Sequence, residues 1–176
     1  KEIAARYAKD HQLAQALWKE NIRESKILAA MLQPVDTFYP EIAEIWVEDM
    51  HYPELAELTC QHLFQYLPYA SEKAFEWIAD EREYFAACGY LILARLFTRH
   101  QALSERSANE YLDQVVAALQ SGTPFVRRCA YASLLKYVQQ GQDAGKKALA
   151  ALAPLQESAD ETLRNLYEEV KLETEG

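Results

Sequence analysis

The sequence predicts an all-α fold, an α-α superhelix of the HEAT/armadillo-like solenoid type, and three observations carry that prediction. The chain has 176 residues but only 5 glycines and 6 prolines, too few turn residues for an all-β protein made of many hairpins. Apolar residues recur at helical spacing throughout. One stretch also repeats at an offset of 41 residues: Phe85-Ala86-Ala87-Cys88-Gly89-Tyr90 aligns with Val126-Arg127-Arg128-Cys129-Ala130-Tyr131. Each copy falls on a long predicted helix that follows a shorter one, and a helix-pair period of about 40–47 residues marks HEAT or armadillo stacking. Linear helix pairs favour a solenoid over a closed four-helix bundle.

The elements follow in order. Helices are predicted near 2–9 and 11–20, compatible with one continuous helix, and near 22–32. Asn21 with Glu24 reads as a capping box ahead of the apolar face Ile27, Leu28 and Met31. Gln33-Pro34 ends that helix. The next two, near 40–50 and 53–67, share an entry signal, since Tyr39-Pro40-Glu41-Ile42-Ala43-Glu44-Ile45 recurs as Tyr52-Pro53-Glu54-Leu55-Ala56-Glu57-Leu58. Helices near 71–80, 82–99 and 104–120 follow, then one near 124–140 that opens on Thr123 as N-cap and Pro124 at the first helical position. The last two lie near 142–154 and 159–173. The final one is acidic, with Ser158 and Glu161 as a capping box and Leu163, Leu166, Tyr167 and Val170 at helical spacing.

Composition bounds the function. Half the residues are apolar, 11% aromatic and 26% charged, which excludes intrinsic disorder. The length fits one repeat domain over residues 1–176, able to bury roughly 68–70% of its unfolded surface without a disulfide or metal staple. No apolar run approaches the ~18 residues of a transmembrane helix, so no membrane partner is expected. The chain begins at Lys1 without an initiator Met or a signal-peptide pattern, as a fragment or a processed chain would. Cys60, Cys88 and Cys129 are odd in number and widely spaced, which predicts mutually distant, reduced core thiols and a cytoplasmic location.

The net charge of −9 is uneven. Residues 34–83 hold 12 acidic and 2 basic side chains, whereas 84–155 hold 4 acidic and 8 basic. A duplex-DNA binder normally shows a basic footprint, and the first of these stretches would repel phosphate. The second contains the candidate nucleic-acid contacts Arg127, Arg128, Lys146 and Lys147. The two arginines fall in the first turn of a helix, where the dipole disfavours cations, and an inter-repeat salt bridge is their bland reading. The lysines read equally as a solvated face. His11, His51, His62 and His100 lack metal-ligand spacing, and neither a nucleophile motif nor a Gly-rich phosphate loop is present. No metal and no cofactor are therefore expected. Trp18, Trp46 and Trp77 lie among other apolar residues and read as packing before base-stacking platforms.

The string Leu17-Trp18, Glu24 and Ile27-Leu28-Ala29-Ala30-Met31-Leu32 resembles the opening of the DNA alkylation repair family, the HEAT-like alkylpurine DNA glycosylases. The later order of Trp46, Leu63-Phe64 and Trp77 is similar to that family too, over roughly residues 10–140. The resemblance implies an α-solenoid curved around a concave groove, and excision of N3- and N7-alkylated purines without a cofactor. Such chemistry uses a carboxylate beside an electron-poor sugar, aromatic walls that attract the cationic base and an Arg or Lys that fixes a phosphate.

The family places a Trp and, four residues on, an Asp on one helix. Here Pro53 matches the aromatic slot and Glu57 the Asp slot, while Ala86 or Ala87 matches the phosphate-holding Arg. Glu57 carries one extra methylene, a displacement that can cost about 100-fold in rate. It reads first as a solvated helix carboxylate, and as the catalytic electrostatic residue only if the enzyme is active. The expectation is thus a family member with degenerate or lost glycosylase activity. The alternatives are an active glycosylase using Glu57 and a non-enzymatic solenoid that binds protein or a special nucleic-acid structure.

Overall fold

The computed structural model describes residues 2–6 and 8–176, with α1 (Glu2–Ala5), α2 (His11–Lys19), α3 (Arg23–Leu32), α4 (Pro40–Glu48), α5 (Pro53–His62), α6 (Ala70–Ile78), α7 (Glu83–Thr98), α8 (Glu105–Ser121), α9 (Pro124–Val138), α10 (Gln142–Gln156) and α11 (Glu161–Glu175). The fold is all-α: among the described residues there is no strand. Its internal contacts divide into two compact units, 1–92 and 93–176.

Within residues 1–92 the helices form two layers. The layer of α2, α4 and α6 is joined by tryptophans: the Trp18 and Trp46 rings stack with centroids 3.9 Å apart and planes within 3°, and the Trp77 indole N–H donates to Glu44 at 3.0 Å. In the layer of α3, α5 and the start of α7, Arg23 in the first turn of α3 pairs with Glu54 in the first turn of α5. These helices therefore run parallel. Cys60 on α5 approaches the Cys88 carbonyl of α7 at 3.8 Å. Between the layers an aromatic chain runs from Trp46 through Phe38, Phe64 and Trp77 to Phe85, each ring within 6 Å of the next.

Residues 93–176 repeat the scheme. The buried rings of Phe97, Tyr111 and Tyr137 from α7, α8 and α9 meet pairwise at 5.2–5.5 Å, and the Tyr111 hydroxyl shares a 2.6 Å hydrogen bond with Ser133. The ends of α7 and α9 lie side by side, joined by the Gln140 amide, which donates to the Gln101 carbonyl at 2.9 Å. Tyr131 on α9 donates to Glu169 on α11 at 2.6 Å.

Several local expectations need correction. Asn21 is not the cap of α3: the helix opens at Arg23 after Ile22, so Asn21 stands one position too early and Glu24 is taken by Arg23 at 2.9 Å. Ser158 likewise yields the cap of α11 to Asp160, whose carboxylate accepts the Thr162 N–H at 2.9 Å. Thr123 does cap α9, accepting the Val126 N–H at 3.3 Å. The helix expected over 53–67 stops at His62, with a 3-10 turn at Phe64–Tyr66. The sequence also gave no sign of the 3-10 turn at Val35–Thr37. α1 and α2 are separate, and Tyr7, within the helix expected over 2–9, lies outside the described residues. The three thiols are reduced and buried, but Cys60 and Cys88 are neighbours, because α5 meets α7 at this point.

Candidate nucleic-acid interface

The positions that the family resemblance assigns to excision chemistry fall in residues 1–92. Pro53 starts α5 and is exposed, and Glu57 lies one turn further on, half-buried. Ala86 and Ala87, where a phosphate-holding cation would stand, are 6% and 0% exposed. A long cationic side chain there would have to displace packed neighbours to reach solvent.

The surrounding electrostatics are self-contained. Arg23 is held by Glu24 and Glu54. Lys73 bridges Glu44 at 2.8 Å and Glu76 at 3.0 Å. The Arg82 guanidinium forks onto both oxygens of Asp80 at 3.0 and 2.8 Å, reaches Glu48 at 3.3 Å and lies 3.5 Å from the Phe85 ring centroid. These hydrogen bonds from Arg82 hold the Asp80 carboxyl below the usual carboxylate range. Lys26 is buried, donates to the Trp18 carbonyl at 2.7 Å and sits over the Trp18 ring, and burial lowers its pKa. The Trp18 indole N–H in turn donates to Asp49 at 3.0 Å. All three tryptophans are therefore packing residues, each less than 5% exposed. Their polar partners Asp49 and Glu44 are separated from them by 31 and 33 residues. No short-range signal reveals such pairs.

The sequence-predicted cations fall in residues 93–176, and the structure does not bring all four together. Arg127 and Arg128 are exposed in the first turn of α9. Arg127 donates to the Gln120 carbonyl at 3.4 Å, and Arg128 lies 5.2 Å from the Phe125 ring centroid. Lys146 and Lys147 are in the first half of α10. Lys147 lines a groove with Asn109, Leu112 and Asp113 of α8, whereas Arg127 meets the end of α8 at Gln120. From Asp113 to Gln120 is seven residues of helix, about 10 Å. Lys147 also pairs with Asp143 at 3.2 Å, and that hydrogen bond raises its pKa. Lys146 is exposed and has no polar partner among the described residues. The arginine pair and Lys146 are thus two separate cationic points.

Among the described residues no group of three or more His, Cys, Asp or Glu side chains is arranged to hold a metal, and no helix is long and apolar enough to cross a membrane.

Comparison with known proteins places this architecture. One solved structure is described as a new family of proteins related to the HEAT-like repeat DNA glycosylases with affinity for branched DNA structures. It matches with a TM-score of 0.78 at 16% identity, over 87% of this chain and 66% of its own length. At that identity it shows the fold, a HEAT-like helical repeat. No curated protein matches. The family model described as DNA alkylation repair enzyme matches residues 1–164, and the chain belongs to that family.

Proposed function

We propose that this protein is a DNA-binding member of the DNA alkylation repair family that has lost alkylpurine excision. The observation that carries the reading is the state of the three chemical slots. The aromatic slot holds Pro53, the carboxylate slot holds the longer Glu57, and the anchor slot holds buried alanines at 86 and 87. Each loss costs about 2 kcal/mol of transition-state stabilisation, so two together reduce the rate roughly a thousandfold if additive. The acidic surroundings also weaken encounter with duplex DNA.

Binding without excision is supported by the fold shared with a protein that has affinity for branched DNA and by the basic side chains of residues 93–176. Arg127, Arg128 and Lys146 are the contacts we assign, with Lys147 weakened by Asp143. The chain acts as one repeat domain, a reading supported by α7, which runs unbroken through residue 92. Reduced, buried thiols support a cytoplasmic setting.

The test is single-turnover release of N7-methylguanine from duplex DNA, with binding to a four-way junction measured in parallel. No release and weak, salt-dependent junction binding are expected. Robust release abolished by Glu57→Gln would instead make Glu57 a working carboxylate. Release that persisted in that variant would mean another residue occupies the carboxylate role.

A further inference from the structure

A small notch of about 110 Å³ lies where α7 and α9 end, lined by Phe97, Thr98, His100, Lys136, Gln139 and Gln140. We propose that it is a phosphodiester-binding site that grips one backbone phosphate of DNA; this rests on the DNA-binding reading above.

Three features support the assignment. First, the lining holds no carboxylate in a protein with 27 acidic residues. Second, the donors are uncommitted. Lys136, His100 and Gln139 are exposed, and among the described residues their side chains make no hydrogen bond or ion pair. A lysine ammonium, an imidazole N–H and an amide NH2 can all donate to the two non-bridging oxygens of a phosphodiester, which together offer several lone pairs. Third, the site is built. Gln140 ties its two sides together through the Gln101 carbonyl at 2.9 Å, and buried Phe97 forms the floor.

The backbone at His100 is the most specific clue. It is the one non-glycine residue with positive φ among the described residues, at 59°. Its N–H donates to the Phe97 carbonyl at 2.9 Å and the next N–H to the Leu96 carbonyl at 3.0 Å, the Schellman ending in which glycine is the ordinary choice. A histidine there is less stable than glycine, and its side chain makes no hydrogen bond or ion pair among the described residues. Strain of this kind is retained where a side chain has a task.

The same hydrogen bonds also answer the objection that helix C-termini repel anions. The Leu96, Phe97, Tyr137 and Val138 carbonyls are already used by following N–H groups, which reduces the negative potential facing the notch.

The experiment compares the wild type with Lys136→Ala and His100→Gly. Each variant is expected to bind a four-way junction roughly tenfold less tightly. Lys136→Ala should also lower the slope of log affinity against log salt by about 1. His100→Gly should melt at a higher temperature than the wild type while binding worse, a combination that a purely structural histidine would not give. Unchanged junction affinity in both variants overturns the site. If the wild type binds no DNA at all, the functional reading fails by itself. The notch is then judged by NMR titration with a dinucleoside monophosphate, inorganic phosphate serving as the comparison. A His100 imidazole shift that saturates with the dinucleotide and is lost in Lys136→Ala supports the site. No shift overturns it, and an equal response to inorganic phosphate overturns its assignment to a phosphodiester.

Discussion

Residues 1–92 carry 16 acidic and 8 basic side chains, and residues 93–176 carry 11 and 10. The larger contrast lies in how the cations are used. In the first unit Arg23, Lys73 and Arg82 are each engaged by two carboxylates, and Lys26 is buried against Trp18. In the second, Lys136 and Lys146 have no polar partner among the described residues, and Arg127 donates to the Gln120 carbonyl. The contrast is one of degree, since Arg106 and Lys147 of the second unit also pair with Glu110 and Asp143. Under the reading proposed above, the unit that would bind DNA is not the one whose positions correspond to excision.

The first way to break this comparison is through the packing that holds the acidic unit. Trp46 is 1% exposed and contacts both Trp18 and Phe38, so Trp46→Ala should cost about 3–5 kcal/mol, read by chemical denaturation. A cost under about 1 kcal/mol would mean that the stacked tryptophans are not the centre of that unit.

Two glycines sharpen the contrast at smaller scale. A Cβ on Gly89 would meet the Ala74 carbonyl oxygen and the Ile78 N at 2.8 Å, as well as the Ile78 side chain at 2.7 Å. Backbone cannot step aside, so Gly89→Ala should cost about 1–3 kcal/mol. On Gly145 the nearest atom is the Thr174 methyl at 2.9 Å, in the last turn of the chain's final helix. That methyl can shift, and alanine adds roughly 1 kcal/mol of helix propensity, so Gly145→Ala should be near neutral. Equal thermal shifts in the two variants would contradict the packing difference.

For binding, Arg127→Ala with Arg128→Ala should weaken the four-way junction complex and lower the salt slope by about 2. Glu57→Gln should leave binding unchanged or slightly tighter, since it removes one negative charge. A larger loss from Glu57→Gln than from the arginine pair would reverse the assignment of the two units.

The sequence made the helices legible because their signals are local: Pro40, Pro53 and Pro124 each begin a helix, and Gln33-Pro34 ends one. The start of α11 is hard to read because Ser158 and Asp160 compete for one cap, and that of α3 because the helix opens after Ile22, which offers no side-chain cap. The neighbouring thiols of Cys60 and Cys88 required the pairing of α5 with α7, which spacing does not encode. At the candidate site the exposed arginines were found from charge and position. His100 and Lys136 were not, because a left-handed helix ending carries a glycine or asparagine signature that histidine hides.

The smallest expected effect concerns acid stability. Asp80 accepts the Arg82 backbone N–H at 2.8 Å and the guanidinium fork, and its folded-state pKa is depressed. Its ordinary value is about 3.9. A carboxyl with a depressed folded pKa contributes stability that is fully present above the unfolded value and is lost as pH falls through the folded one. Asp80→Asn should therefore destabilise the protein by about 0.2–1 kcal/mol at pH 7, with the deficit disappearing below the depressed pKa. In the second unit the Asp143–Lys147 pair spans one helical turn with Asp143 86% exposed, so Asp143→Asn should cost no more than about 0.5 kcal/mol. Urea titrations across acid pH read both. A deficit for Asp80→Asn that stayed constant down to the lowest pH would show that its hydrogen bonds, and not its charge, hold the turn before α7.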